Sequence, residues 1–146
     1  MESPATYEDV NLVLRLYELR REDRLRKARA WFSQCFKVRT LEEFNKLCPP
    51  GSDENAYFRM VVTYWDMTAS FITSGVLNQN LFFQSGRELL LVWERLRDVL
   101  PQLPETNKDP VAYRNLEVVA QSFIAWMKAQ SPDSYTAFSN RIRGTA

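Results

Sequence analysis

One segment restricts the fold more than any other, the run YFRMVVTYWDMTASFI at residues 57–72. At the 3.6-residue period of an α-helix, its apolar side chains cover most of the circumference. Ser52 precedes the run as a favoured N-cap residue, and Gly75 follows it as a natural C-cap. A helix over about 53–74 that is apolar on several sides needs neighbours on several sides, so the sequence predicts a helical bundle around it.

The remaining segments have the same helical character. No segment alternates polar and apolar residues as a half-buried strand does, and glycine is scarce, at 4 of 146 residues. Apolar spacing and capping residues predict five to six helices in a single all-α domain, residues 1–146. Besides the central helix, helices are expected over about 7–37, from Thr40 to the CPPG segment, and over about 79–100, 110–129 and 131–143. The segment 101–110 is expected to be the one long loop.

Composition excludes several classes of function. The chain has no histidine, which rules out histidine general bases, Ser–His and Cys–His pairs and most zinc sites. Its net charge of +1 gives no reason to expect nucleic acid as the main partner. We therefore expect no catalytic residue, metal or cofactor, and a non-enzymatic protein. Cys35 and Cys48 are expected to be reduced thiols in the core.

The sequence also bears on membranes and localisation. No run of 18 apolar residues occurs, and the N-terminal MESPATYEDV lacks the basic and apolar regions of a signal peptide. We therefore expect a cytoplasmic protein.

A carboxylate in the middle of the central helix is the first candidate for a site. Asp66 shares a narrow polar stripe with Arg59. Together with Tyr64 and the SGVLNQN turn that follows the helix, it marks the place where an aromatic-lined pocket would lie. We expect Asp66 to be half-buried and bonded to another helix or to an arginine, since a buried unpaired carboxylate is costly. The alternatives are a ligand contact or solvent exposure. Glu117, on a polar stripe expected to be solvated, would form a cation or acid–base site only if it faced Asp66.

A basic stretch at 20–29 is the second candidate. Arg20, Arg24 and Lys27 would share a face of one continuous helix and could contact a phosphate backbone or an anionic membrane surface. The alternative is a solvated helix laced with salt bridges.

The first helix carries the third candidate. Its apolar seam at Val10, Leu14 and Tyr17 is expected to face the core. Three further leucines lie on a different side: Leu12, Leu16 and Leu19. A helix that is apolar on two sides needs two partners, so these leucines predict an interface with a second copy of the chain or with another protein.

The segments YFRMVVTYWDMTASFITSGVLNQNLFF, VWERLRDVLPQL and YRNLEVVAQSF together resemble an uncharacterised bacterial family of small all-helical domains, often found behind N-terminal membrane helices. The resemblance covers about 57–123. Asp66 stands where the family usually has glutamate, and Asn78 where it often has aspartate. The resemblance implies a helical fold, and the family has no known activity to carry over. This sequence lacks the membrane helices of those relatives, so membrane attachment is not expected from the resemblance; peripheral membrane contact remains an alternative through the basic stretch.

These observations favour a non-enzymatic helical interaction module that associates with itself or with a protein partner; no small-molecule substrate is identified. The alternative is a regulatory or ligand-binding domain that contacts an anionic membrane surface or nucleic acid through the basic 20–29 stretch.

Overall fold

The computed structural model describes residues 3–144, and this range is helical and contains no strand. The all-α prediction is confirmed. The described residues form nine α-helices rather than five or six, with a 3₁₀ turn at Leu100–Gln102. The helices are α1 Tyr7–Arg20, α2 Asp23–Cys35, α3 Leu41–Leu47, α4 Asp53–Thr73, α5 Gln79–Phe83, α6 Arg87–Leu96, α7 Pro104–Lys108, α8 Arg114–Gln130 and α9 Ser134–Arg143.

The long helix predicted over 7–37 is in fact two helices, α1 and α2, because the chain leaves helical geometry at Arg21 and Glu22. The two oxygens of the Glu22 carboxylate accept hydrogen bonds from the N–H groups of Arg24 and Leu25, each at 3.1 Å. These bonds cap the start of α2 and lower the pKa of Glu22. Glutamate is not among the preferred N-cap residues, so the sequence pattern did not indicate this break.

The helix predicted over 79–100 is divided in the same way, at residues 84–86. Gly86 is the N-cap residue of α6, and a Cβ placed there would lie 2.5 Å from the Phe82 ring and 2.8 Å from the Phe82 carbonyl oxygen. Any residue other than glycine would therefore push the backbone away from this ring. The close approach of Gly86 to the buried Phe82 ring fixes the break. The helical periodicity of the sequence does not reveal this contact.

The segment 101–110, predicted to be a loop, contains the 3₁₀ turn and α7. The helix predicted to begin at residue 110, directly after Asp109, does not begin there. The Asp109 side chain instead accepts a hydrogen bond from the Val111 N–H at 3.1 Å and stabilises one turn. The chain then passes through Tyr113, whose φ of 58° is left-handed, before α8 begins at Arg114.

The central helix lies where it was predicted. The Ser52 hydroxyl caps α4 by accepting a bond from the Asn55 N–H at 3.1 Å. At the other end Gly75 takes a φ of +78°, and the Val76 N–H donates to the Phe71 carbonyl at 2.9 Å. This is a Schellman termination, which favours glycine at the left-handed position.

The core surrounds α4, which packs chiefly against α2 and α8. Trp65, near its middle, is fully buried. Phe36 stacks on Phe58 at 5.2 Å on the α2 side, and Phe83 stacks on Phe123 at 4.3 Å on the α8 side. The aromatic clusters on either side make α4 the layer that joins the two halves of the core.

Both cysteines were expected to lie in the core, and only Cys48 does. Cys48 is a buried free thiol, and burial, with Glu54 nearby, raises its pKa to about 12. Cys35 is exposed, because it lies in the last turn of α2, on the side away from the core.

Candidate interaction surface

The outward face of α1 carries a stripe of large apolar side chains. Tyr7 is 79% exposed, Leu14 54%, Tyr17 46% and Val10 40%. Their spacing of 3, 4 and 3 positions places them on one side of the helix. We call these four residues the α1 stripe.

The opposite face of α1 packs on the body of the domain. Leu16 is 2% exposed, and Leu12 and Val13 are partly buried against the core. The Tyr64 hydroxyl donates a hydrogen bond to the Leu16 carbonyl at 2.6 Å, and Asp9 accepts one from the Asn78 N–H at 2.9 Å. The inward face is therefore fixed by both apolar packing and buried hydrogen bonds.

The two sides of α1 are thus reversed relative to the sequence prediction. Leu16, predicted to lie at an interface, lies in the core of its own chain; Leu12 is partly buried and Leu19 is 40% exposed. The seam predicted to face the core is the exposed stripe. The error has a physical cause: the prediction carried one helical phase through residues 7–37, and the break at Glu22 ends that phase.

Asp66 caps another helix. Its Oδ1 accepts a hydrogen bond from the N–H of Leu116, the third residue of α8, at 3.0 Å. Tyr113, at the N-cap position of α8, makes no capping bond with its own side chain, so Asp66 satisfies one of the free N–H groups of the first turn. The carboxylate is half-buried, and its burial raises the pKa of Asp66. The hydrogen bond from another helix that we expected is present.

The other residues of the predicted polar site contact different parts of the chain. Arg59 donates to the Asn55 side chain at 3.1 Å, one turn earlier on α4. Tyr64 contacts α1, as described above, and Glu117 lies exposed on α8 beside a groove. Within residues 3–144 no three His, Cys, Asp or Glu side chains are grouped so that they could hold a metal ion.

The cations of the basic stretch do not share one helical face, because the break at Glu22 places Arg20 in α1 and the other two in α2. The Arg20 guanidinium lies 4.9 Å from the Tyr17 ring centroid and 5.4 Å from that of Trp65. Lys27 Nζ lies 5.9 Å from the Tyr57 ring centroid, and Arg24 lines a shallow groove with Arg59. Two of the three cations are therefore held over aromatic rings of the same chain.

Sequence reasoning missed Glu94, whose side chain is wholly buried. Its two oxygens accept hydrogen bonds from the Tyr135 hydroxyl at 2.8 Å and the Ser139 hydroxyl at 2.6 Å. Arg97 Nε lies 3.5 Å from Glu94 Oε1. The signal was available, because Glu94 comes one turn after the buried Leu90, on the apolar face of α6.

Arginines complete the attachment of α9. Arg143 donates to the Glu94 carbonyl at 2.8 Å and pairs with Asp98. Arg95 donates to the carbonyls of Ile142 at 3.0 Å, Ser33 at 2.9 Å and Phe36 at 3.1 Å, so its charge lies where the helix dipole of α2 favours a cation. These bonds join the ends of α2, α6 and α9.

None of the helices in the described range is both long enough and apolar enough to cross a bilayer. Comparisons with curated proteins and with solved structures give no significant match. The family model for a domain of unknown function, DUF4760, matches residues 5–138, which run from the residue before the α1 capping box into α9. The chain therefore belongs to the family of the domain of unknown function DUF4760.

Proposed function

We propose that the chain is a non-enzymatic interaction module that pairs with a second copy of itself through the α1 stripe. The observation that carries this proposal is the exposure of all four stripe residues, from 40% to 79%, on a helix whose other face is already packed. Water contact with a continuous apolar stripe is unfavourable, and a partner that covers the stripe removes that cost.

The order of the stripe favours a second copy as the partner. Read in either direction, the stripe is aromatic, aliphatic, aliphatic, aromatic, at intervals of 3, 4 and 3. An antiparallel pair of α1 helices related by a two-fold axis would therefore place Tyr7 against Tyr17 of the second copy and Val10 against its Leu14. A two-fold interface requires this self-complementarity, because each residue meets its counterpart twice.

The expected dimer is weak. The stripe spans eleven residues from Tyr7 to Tyr17, a helical rise of about 15 Å. One pair of short helices buries less area than the roughly 1,200–2,000 Å² typical of stable interfaces. We therefore expect a weak dimer, whose share of the chains rises with protein concentration.

Sedimentation equilibrium over a concentration series tests this proposal. The wild-type chain should approach twice the monomer mass as concentration rises, and the Leu14→Glu variant should stay monomeric because a carboxylate cannot be buried unpaired in an apolar seam. Leu19→Glu is the matched control: it makes the same change on the same helix, at an exposed leucine outside the stripe.

The control variant should dimerise as the wild-type chain does. A monomer mass at every concentration for the wild-type chain would refute self-association. Equal losses in both variants would show that the acidic substitutions act through charge rather than through the stripe.

A further inference from the structure

A groove to which α1 contributes no residue has the size of a small-molecule site. Its volume is about 630 Å³, within the roughly 300–1,000 Å³ of ligand pockets. It lies between α6, the 3₁₀ turn with α7, the outward face of α8 and the start of α9. Its lining includes Trp93, Arg97, Leu100, Ile124, Lys128 and Tyr135.

The two helical walls of the groove repeat one arrangement. Trp93 comes one turn before Arg97, the helical-geometry C-cap residue of α6, and Ile124 comes one turn before Lys128 on α8. Residues four apart share a helix face, so each wall presents an apolar side chain followed by a cation.

Tyr135 brings the two cations to the same end of the groove. Lys128 Nζ lies 5.4 Å from the Tyr135 ring centroid, and the Tyr135 hydroxyl donates to Glu94, the ion-pair partner of Arg97. Glu94 already accepts two hydroxyl hydrogen bonds. Its distance to Arg97 Nε, 3.5 Å, is long for a charged hydrogen bond. The guanidinium has five N–H donors, so it keeps donors for a group in the groove.

The acidic residues of the lining do not neutralise this end. Asp98 is paired with Arg143, and its Oδ2 also lies 3.8 Å from Arg39 Nε. Glu117 lies eleven positions before Lys128 on α8, a rise of about 16 Å. Glu94 offsets one of the two cations, so Arg97 and Lys128 together leave the Tyr135 end with a net positive charge. Trp93 and Ile124 lie next to this end, and the remaining lining is mixed polar and apolar.

We propose that this groove binds a small amphipathic anion, with its carboxylate or phosphate head between Arg97 and Lys128 and its apolar body along Trp93 and Ile124. A head of this kind matches the guanidinium fork and the ammonium group. The apolar body covers the partly exposed Ile124 and the small exposed edge of Trp93, which is 5% exposed. This proposal does not depend on self-association, because none of its residues belongs to α1.

Isothermal titration calorimetry with decanoate, below its micelle concentration, tests the proposal. Decyltrimethylammonium, which has the same chain and the opposite charge, and acetate, which has the head without the chain, are the comparison ligands. Lys128→Gln removes one cation from an exposed position, and Lys46→Gln, at an exposed lysine of α3, is the matched control. Thermal unfolding monitored by circular dichroism verifies that both variants fold.

We expect saturable binding of decanoate, about fivefold weaker for Lys128→Gln and unchanged for Lys46→Gln. Acetate and decyltrimethylammonium should bind more weakly than decanoate. Absence of saturable binding, equal binding of the cationic amphiphile, or equal binding by the two variants would each overturn the proposal.

An anionic head could belong to a free amphiphile or to a lipid, and co-sedimentation with phosphatidylglycerol vesicles separates these sources. Vesicle binding that falls in Lys128→Gln but not in Lys46→Gln supports the groove with a lipid as its ligand. Decanoate binding without any vesicle binding supports the groove with a free amphiphile.

Discussion

The two terminal helices, α1 and α9, attach to the same core by different means. α9 is held by buried polar groups: Glu94 accepts from Tyr135 and Ser139, and Arg143 bonds to both the backbone of Glu94 and the side chain of Asp98. α1 is held by a row of apolar side chains around Leu16 and by hydrogen bonds along its length. Tyr64 donates to the Leu16 carbonyl, Arg29 to the Arg20 carbonyl, and the Asn78 N–H to Asp9.

Their outer faces differ as well. The outer face of α9 carries the exposed Thr136, Ala137 and Arg141, and no large exposed apolar side chain lies on this helix. The outer face of α1 carries the apolar stripe. The comparison indicates that α9 is covered for the fold alone, whereas α1 has one face packed in the fold and a second face that, in our proposal, binds a partner.

The largest effect is expected from the attachment of α9. Glu94→Ala leaves the Tyr135 and Ser139 hydroxyls without their acceptor and Arg97 without its partner, in a site where the carboxylate is wholly buried. We expect a loss of about 3–4 kcal/mol in the free energy of unfolding, measured by urea denaturation. Glu42→Ala, at an exposed glutamate of α3, should change it by less than about 0.5 kcal/mol. A loss of that small size for Glu94→Ala would remove the distinction between the two helices.

The next effect separates the two faces of α1. Leu16→Ala removes a buried side chain and should cost about 2–3 kcal/mol of unfolding free energy. Leu14→Ala, two positions earlier on the exposed face, should cost no more than about 0.5 kcal/mol at concentrations where the chain is monomeric. Urea denaturation of both variants measures the difference. Similar losses would mean that the stripe also packs within its own chain.

A smaller effect is expected at Asp66, a carboxylate that is less buried than Glu94. Asp66 is half-buried, with a backbone N–H as its donor, and burial raises its pKa above the ordinary value of 3.8. In the window between that value and the raised pKa, the folded chain binds more protons than the unfolded chain. The carboxylate therefore contributes less to stability as pH rises through the window.

The Asp66→Asn variant keeps an oxygen acceptor for the Leu116 N–H and removes the titration. We expect the variant to be more stable, relative to the wild-type chain, at pH 7 than at pH 3: the unfolding free energy of the variant minus that of the wild-type chain should be larger at pH 7. Urea denaturation at the two pH values measures this change. A constant difference, or one of opposite sign, would contradict the raised pKa.

Parts of the fold that depend on local sequence were predictable. The capping boxes at Thr6 and Thr40, the Ser52 cap and the Gly75 termination are all present, because each depends on side chains within a few residues. The breaks at Glu22 and Gly86 were not predictable, since one uses an uncommon capping residue and the other a contact with a buried ring.

The candidate sites were harder to predict for the same reason. Asp66 was expected to bond to another helix, but its donor, Leu116, is fifty residues away and could not be named. The exposed side of α1 could not be assigned without the position of the break before α2. Glu94 and the groove beside Arg97 need the packing of α6, α8 and α9, which periodicity along one helix does not contain.

The antiparallel pairing of α1 can be tested by electron paramagnetic resonance of spin-labelled dimers. A nitroxide is attached at Asn11→Cys or at Glu18→Cys in a Cys35→Ser background; Cys48 is buried with its pKa raised to about 12, and it resists labelling. With the two-fold axis at position 12, the two labels at position 11 differ by about 3 Å along the helix axis and those at position 18 by about 18 Å.

We therefore predict strong dipolar coupling for the label at position 11 and a much longer distance for the label at position 18, both lost in the Leu14→Glu variant. Equal distances at the two positions, or a dimer without coupling at either, would contradict the proposal that α1 pairs with α1 of a second copy.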